Sequence, residues 1–309
     1  MKHHDEQREP VSVSIVEFSE KLDLEIIYGG ETDQLTFTTV NVNRPGLVLA
    51  GYDEYFGANR VQVIGNAEER YLTTLSPEQK AVALERLFSH EIPCVVIARG
   101  LVPDENFLNM ARKHKRPVLL SKAGTSDLTN DLVMYLNDVL APLGNVYGVL
   151  LDVYGVGVLL RGGSGIGKSE TALELVKRGH RLIADDNVIV KNVRGRLSGT
   201  APERIRFLME IRGIGIINVR DMFGVESVAE EKSIDLVIEL EQWQQNKKYE
   251  RLGLSNEYDE ILNQPVPKIV MPVRPGRNLA VIVEVACINN RLKEMGVDTT
   301  KKLREELGI

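Results

Sequence analysis

Gly162-Gly163-Ser164-Gly165-Ile166-Gly167-Lys168-Ser169 is a complete G-x-x-x-x-G-K-[ST] match, and its residue types are those of a phosphate-binding loop. The glycines let backbone N–H groups turn inward around phosphate oxygens, and the N-terminus of a following helix adds partial positive charge. Lys168 supplies a full positive charge, and the Ser169 hydroxyl can hold Mg2+. A nucleotide or pyrophosphate is the ligand this chemistry predicts. The flanks agree. Val156 to Leu160 is apolar and β-rich, whereas Glu170 to Arg178 has helical formers with apolar spacing and is ended by Gly179.

Two carboxylates, Asp185 and Asp186, close the apolar run Leu182-Ile183-Ala184. Adjacent residues of a strand face opposite ways, so the pair divides its work. One carboxylate can orient Mg2+ or its waters while the other accepts a proton. In Met209-Glu210-Ile211-Arg212-Gly213, a carboxylate and a guanidinium precede a glycine-spaced apolar strand running to Asn218. That pair suits either phosphate chemistry or an ordinary ion pair. Arg251 in Tyr249-Glu250-Arg251-Leu252-Gly253, and Arg274 and Arg277 in Pro272-Val273-Arg274-Pro275-Gly276-Arg277, stand in constrained loops that could clamp phosphate. His180 follows Gly179, where an imidazole can satisfy helix-terminal carbonyls.

The elements that must position these residues are legible in outline. A chain of 309 residues with 43% hydrophobic and 27% charged content has the material for two soluble domains. Net charge is -6, its acidic excess lies in the first half, and no basic stripe supports a nucleic-acid partner. No apolar run approaches the roughly 18 residues of a membrane helix, and Met1 to Pro10 is polar, so no membrane association and a cytoplasmic location are expected. Cys94 and Cys287 sit in apolar runs as buried thiols, with no disulfide or zinc pattern. In the first half, Val61 to Ile64, Cys94 to Ile97 and Val118 to Leu120 read as strands, and Ser76-Pro77-Glu78-Gln79 opens a helix with a capping box. That βαβ pattern predicts a small α/β domain over 1–130, interrupted by a turn at Asn43-Arg44-Pro45-Gly46-Leu47. Apolar spacing from Ser126 to Leu143 predicts a helix that bridges the domains, placed over 131–145. The phosphate-loop domain then occupies 146–309, opening with a hairpin around Tyr154-Gly155. A turn over Asn192 to Arg196, a strand from Ser233 to Glu241 and a helix from Leu279 to Met295 follow.

Taken together, Asp152-Val153-Tyr154-Gly155-Val156-Gly157-Val158, the phosphate loop, Arg178 to Asp186, Glu210 to Gly213, Tyr249 to Gly253 and Pro272 to Ala280 closely resemble HPr kinase/phosphorylase. That bifunctional bacterial family phosphorylates and dephosphorylates a serine on the phosphocarrier protein HPr. In the first half, Asn43 to Leu47 with Ala50-Gly51-Tyr52 resembles the family's N-terminal domain. The resemblance implies an N-terminal α/β domain plus a C-terminal P-loop kinase domain similar to phosphoenolpyruvate carboxykinase, usually assembled as a homohexamer. It also implies ATP or pyrophosphate as donor, Mg2+ as cofactor and a part in regulating carbon metabolism. By resemblance, Lys168 contacts the transferred phosphate, Ser169 and Glu210 hold Mg2+, Asp186 exchanges the proton and Arg251 completes the active site. The Met209 to Asn218 segment would serve both directions, and Pro272 to Arg277 mainly dephosphorylation. Two positions depart from the family pattern: Gly163 stands where Asp is usual, and Tyr147 replaces a histidine counted as catalytic. The second departure sets an alternative beside the enzyme, a catalytically impaired nucleotide-binding regulator on the same fold.

Overall fold

A computed structural model describes residues 9–247, 249 and 257–298. Contacts divide the chain into two compact units, Met1–Leu140 and Ala141–Ile309.

In the first unit, β1 (Val11–Ser14) runs into α1 (Ile15–Lys21), which the Ser14 side chain caps, and pairs with β3 (Gln34–Phe37). A second sheet has the order β2 (Glu25–Tyr28), β7 (Val118–Leu120), β6 (Val95–Ile97), β5 (Val61–Ile64), β4 (Val42–Asn43). Strands β4 to β7 are mutually parallel and β2 runs antiparallel to β7. Side-chain alternation splits this sheet's residues between two cores. Ile64, Val95 and Ile97 pack under α2 (Gly46–Leu49), α3 (Asn66–Thr74), α4 (Pro77–Phe88) and α5 (Glu105–Lys113). Val63, Val96 and Leu119 face α1, the β1–β3 pair and α6 (Thr125–Val139). The expected capping box forms at α4: Ser76 Oγ accepts from Gln79 N–H, and the Gln79 side chain accepts from Ser76 N–H.

The helix expected through Leu143 stops at Val139. Pro142 lacks the N–H that a continuing helix would need, and Leu143 instead begins a strand, so residues 140–145 are not helical. The leucines of the helix (Leu128, Leu132, Leu136) are buried in the first unit's core.

The second unit is built on a mixed sheet of order β11 (Arg181–Ala184), β9 (Val149–Val153), β10 (Val156–Gly162), β17 (Leu236–Gln242), β19 (Gln264–Val273), β18 (Glu257–Ile261). The expected hairpin joins β9 to β10 through Tyr154 and Gly155, both at positive φ, the geometry of a tight two-residue turn. On one sheet face Leu151, Val158, Leu160 and Ile238 pack against α7 (Lys168–Lys177) and α9 (Leu279–Glu294). On the other, Leu150, Leu159 and Val237 meet a second sheet of order β16 (Glu231–Ser233), β13 (Arg196–Thr200), β12 (Asn187–Val193), β8 (Leu143–Tyr147). A small hairpin of β14 (Leu208–Ile211) and β15 (Gly215–Asn218) leads into α8 (Val219–Phe223). Cys94 and Cys287 are free and buried.

His180 departs from its expected role. Backbone N–H groups of Gly179 and His180 satisfy the Val176 and Leu175 carbonyls, so the imidazole is not needed there. Its Nε2 lies 3.0 Å from Glu284 Oε1 on α9, and the ring meets Tyr154 edge-on with centroids 4.6 Å apart.

Gly157 has a packing reason within β10. Its N–H donates to the Asp235 carboxylate at 2.7 Å, and a Cβ there would lie 1.6 Å from the Ser233 carbonyl oxygen. Gly163, by contrast, has open space around its missing side chain. Gly157→Ala should therefore cost about 3 kcal/mol in a denaturant titration, whereas Gly163→Ala should stay within about 0.5 kcal/mol of the parent. Equal stability of the two variants would refute the close approach of β10 to Ser233.

Candidate active site

Three neighbouring strands, β10, β17 and β19, run parallel. Strand β11 is antiparallel to β9, which is antiparallel to β10, so β11 shares their direction. Their carboxyl ends consequently gather the phosphate loop, Trp243, the Pro272–Arg277 loop and the Asp185–Asp186 pair along one edge of the sheet. This is where ligand sites form in open α/β sheets.

The loop turns from β10 into α7 through glycines at positive φ: Gly162 at 136°, Gly165 at 78° and Gly167 at 101°. Gly162 also lets β10 lie close to β17, since a Cβ would stand 2.4 Å from the Leu240 carbonyl oxygen. Gly167 is the N-cap of α7 and brings no side-chain cap, so the first N–H groups of the helix remain directed at the loop. Lys168 folds back over the loop, its Nζ donating to the Gly162 and Gly163 carbonyls at 3.0 and 3.2 Å.

Asp185 and Asp186 take different environments, although both lie past the end of β11, where strand alternation no longer applies. Asp185 is buried and accepts from the Ser169 hydroxyl at 3.3 Å and the Glu210 N–H at 3.2 Å. Burial, reinforced by the neighbouring Asp186 charge, pushes the Asp185 carboxyl up to about 6. Asp186 follows the end of β11 with φ of 60°, a left-handed kink that Asp tolerates better than most residues. It lines a small polar cavity of about 120 Å³ together with Lys168, Ser169, Glu210 and Arg212.

Glu210 and Arg212 stand two residues apart across the end of β14, which puts both on the cavity side. Arg212 Nη2 donates to Ser164 Oγ at 3.1 Å, and the guanidinium lies where a Cβ on Gly165 would be 2.5 Å from it. The sequence placed Arg212 in a segment of interest without giving it a role of its own. Its signal was the i, i+2 spacing from Glu210 on a strand.

A larger cleft of about 680 Å³ lies on the other side of the loop, lined by Gly163 to Ile166 and by Val273, Arg274 and Pro275. Arg274 stacks over the Trp243 ring at 3.6 Å, a cation–π contact that fixes the guanidinium at the cleft wall. Arg277 closes the turn, its Nη1 donating to the Pro272 carbonyl at 3.2 Å and its N–H to that of Arg274 at 3.3 Å. Tyr147 ends β8 with its side chain 82% exposed, outside the polar cavity. The next residue's N–H, Gly148, donates to the Asp186 carbonyl at 3.1 Å. Arg251 lies outside the described residues.

Comparison with known proteins gives the family of the chain. The chain matches the family model described as HPr Serine kinase C-terminal domain over residues 138–307, and that described as HPr Serine kinase N terminus over 13–136. It is 48% identical over 296 residues to HPr kinase/phosphorylase of Caldanaerobacter subterraneus subsp. tengcongensis, covering 96% of this chain and 97% of that one. With HPr kinase/phosphorylase of Caldicellulosiruptor bescii it shares 53% identity over 269 residues, 87% of this chain and 86% of the relative. Among solved structures, the Hpr(Ser) kinase/phosphatase from Coxiella burnetii matches at 35% identity and a TM-score of 0.47, covering 52% of this chain and 99% of that one. The chain therefore belongs to the HPr kinase/phosphorylase family of enzymes.

Proposed function

We propose that this chain moves a phosphoryl group from ATP or pyrophosphate to a serine of the phosphocarrier protein HPr, and removes it again by phosphorolysis, as a control on carbon metabolism. The observation that carries the reading is the meeting of Lys168, Ser169, Asp186, Glu210 and Arg212 around one polar cavity at the start of α7. Cations, a hydroxyl and a free carboxylate at a phosphate loop are what in-line phosphoryl transfer requires.

Among the described residues no group of three or more His, Cys, Asp or Glu side chains could cage a metal. The oxygen donors Ser169 and Glu210 instead fit Mg2+ that keeps several waters and shares phosphate oxygens. When bound, Mg2+ neutralises charge on those oxygens. Asp185, behind them, holds the Ser169 hydroxyl and the Glu210 backbone in place. In the forward direction Asp186 accepts the proton of the serine hydroxyl as its oxygen attacks the terminal phosphorus and the bridging P–O bond breaks, releasing ADP from ATP or phosphate from pyrophosphate, while Lys168 and Arg212 stabilise charge on the transferring group. In reverse, protonated Asp186 returns that proton to the serine oxygen as inorganic phosphate attacks phosphoserine and pyrophosphate forms. Arg251 belongs to the same reading. So does Tyr147, exposed beside the Gly148–Asp186 backbone contact where the serine-bearing partner would approach. The family's usual homohexamer is part of it too: α9 and its C-cap residue leave Val281, Val285, Ile288, Leu292 and Met295 exposed at alternating steps of four and three.

The direct test mixes the protein with HPr, Mg2+ and either ATP or pyrophosphate, then supplies phosphoserine-HPr with phosphate. Phosphoserine formation and phosphate-dependent release of pyrophosphate are expected. ATP turnover that leaves HPr unlabelled would replace this reading with a kinase for a small metabolite.

Asp186→Asn should lower both directions by about 100- to 10,000-fold while nucleotide affinity stays within a few-fold, because the amide cannot accept a proton. A parallel loss of affinity would make Asp186 a metal ligand instead. Arg277→Ala should weaken phosphorolysis more than kinase activity, since Arg277 braces the turn between Pro272 and Arg274. Equal losses in initial-rate assays of the two directions would end that division of labour.

The Asp185 environment has a consequence for stability. A carboxyl raised from 3.8 to about 6 binds its proton more tightly in the folded state. The penalty for ionising it is absent below the unfolded value, grows as pH rises, and is complete above about 6. In metal-free protein, Asp185→Asn should thus raise the melting temperature at pH 7.5, with the difference closing as pH falls towards 4. A variant less stable than the parent at pH 7.5 would mean that the carboxylate's hydrogen bonds outweigh its desolvation.

A further inference from the structure

Phosphoryl transfer uses the polar cavity on one side of the phosphate loop, whereas the cleft of about 680 Å³ on the other side takes no part in it. The cleft has the size of a ligand pocket, roughly 300 to 1,000 Å³. Ser164 and Gly165 line both spaces, so a chain of phosphates lying over the loop leads from one into the other. Asp186 lines the cavity and not the cleft. The serine that gives up its proton must therefore come to the cavity, and the cleft falls to the part of the donor remote from the reacting phosphate.

The cleft walls say what that part is. Leu240, Ile166, Val273 and Pro275 are apolar, and the carboxylates of Glu239 and Glu241 stand among them. Two carboxylates beside one guanidinium, Arg274, disfavour a further phosphate group here and suit hydroxyl donors instead. Glu241 is already held, accepting from Lys247 Nζ at 2.5 Å and from the Tyr249 hydroxyl at 3.3 Å. Glu239 keeps acceptor capacity: its Oε2 lies 3.9 Å from Arg161 Nε, and Arg161 gives its Nη1 to Asp259. Arg274 is braced with its guanidinium 3.6 Å from the Trp243 ring, and the Trp243 N–H donates to the Val273 carbonyl at 3.2 Å. With the indole on one side of it, the planar guanidinium has its opposite face to offer, and such a face stacks on a nucleobase.

We propose that this cleft is the nucleoside subsite of the phosphate donor, in which the base stacks on the Arg274 guanidinium held by Trp243 and Glu239 accepts a ribose hydroxyl. The proposal rests on the phosphoryl-transfer reading and adds to it the residues that choose the donor. Pyrophosphate ends at the loop and has nothing to place in the cleft. Trp243 and Glu239 thus set how well ATP competes with pyrophosphate, Trp243 as a positioning residue that acts through Arg274. Contacts this far from the reacting phosphorus are made alike before and during transfer, so they act on KM and leave kcat alone.

The test measures HPr phosphorylation by the full chain and two variants, Trp243→Leu and Glu239→Ala, with Mg2+ and either ATP or pyrophosphate. Each variant should raise the KM for ATP about tenfold at unchanged kcat, the loss expected of a stacked base or of a hydrogen bond to a charged group. The KM for pyrophosphate should stay within about twofold of the parent, which also shows that the variants fold. Hydrogen-exchange mass spectrometry of the parent supplies a reading that needs no HPr: ATP and pyrophosphate should both slow exchange at 162–169, and ATP alone should slow it at 239–244 and 272–276. Equal KM changes for the two donors, an unchanged KM for ATP in both variants, or slowing at 239–244 and 272–276 by pyrophosphate as much as by ATP would overturn the nucleoside subsite. Protection of those segments by ATP in a parent that leaves HPr unphosphorylated would uphold the subsite and sink the HPr reading instead.

Discussion

The candidate active site hangs on one buried carboxylate. Asp185 accepts from the Ser169 hydroxyl at the start of α7 and from the Glu210 N–H of β14, and its own backbone continues into Asp186. Three segments far apart in sequence are thereby fixed to one atom group. Ionising that carboxyl is costly, because burial and the Asp186 charge both oppose it. A carboxyl perturbed by burial and by a neighbouring charge, and tied to both α7 and β14, is the kind of group that gathers at functional sites.

The second constraint is the direction of strands. With β10, β17, β19 and β11 all pointing one way, each connection leaving the sheet delivers its residues to the same edge. Lys168 arrives from β10, Trp243 from β17, Arg274 from β19 and Asp186 from β11. Antiparallel neighbours alone would have split these groups between two ends. The close approaches at Gly157 and Gly162 are what let the strands reach this register, since either Cβ would strike a backbone carbonyl.

Much of this was legible because it is local. The phosphate loop needs only a strand, glycines and a helix in order, and hairpins such as β9–β10 announce themselves by a two-residue turn between apolar runs. The division between Asp185 and Asp186 was expected from adjacency on a strand, but it arises past the end of β11, where strand alternation no longer applies. What stayed hidden depends on pairs distant in sequence. His180 meets Glu284, Arg274 stacks on Trp243, and Gly157 bonds to Asp235, each through topology that no window of sequence contains. Helix α6 was overextended because apolar spacing persisted past Val139, where Pro142 forbids further helix. Arg212 was underrated because its neighbour Ser164 belongs to another element.

Helix starts in this chain fall into two groups, and the contrast ties the two units together. Ser14, Ser76, Asp104, Asn218 and Asn278 place a side-chain oxygen on the first N–H groups of α1, α4, α5, α8 and α9. Those helices satisfy their own donors, for about 1 kcal/mol each. Helices α3, α6 and α7 begin at Gly65, Gly124 and Gly167 and forgo that stabilisation. Among the described residues α2, after Pro45, also lacks a side-chain cap, so five α-helix starts are capped by a side chain and four are not. At α7 the backbone donors open onto the polar cavity beside the phosphate loop. There the bare start belongs to the phosphate loop, whose N–H groups are left for an anion instead of a cap.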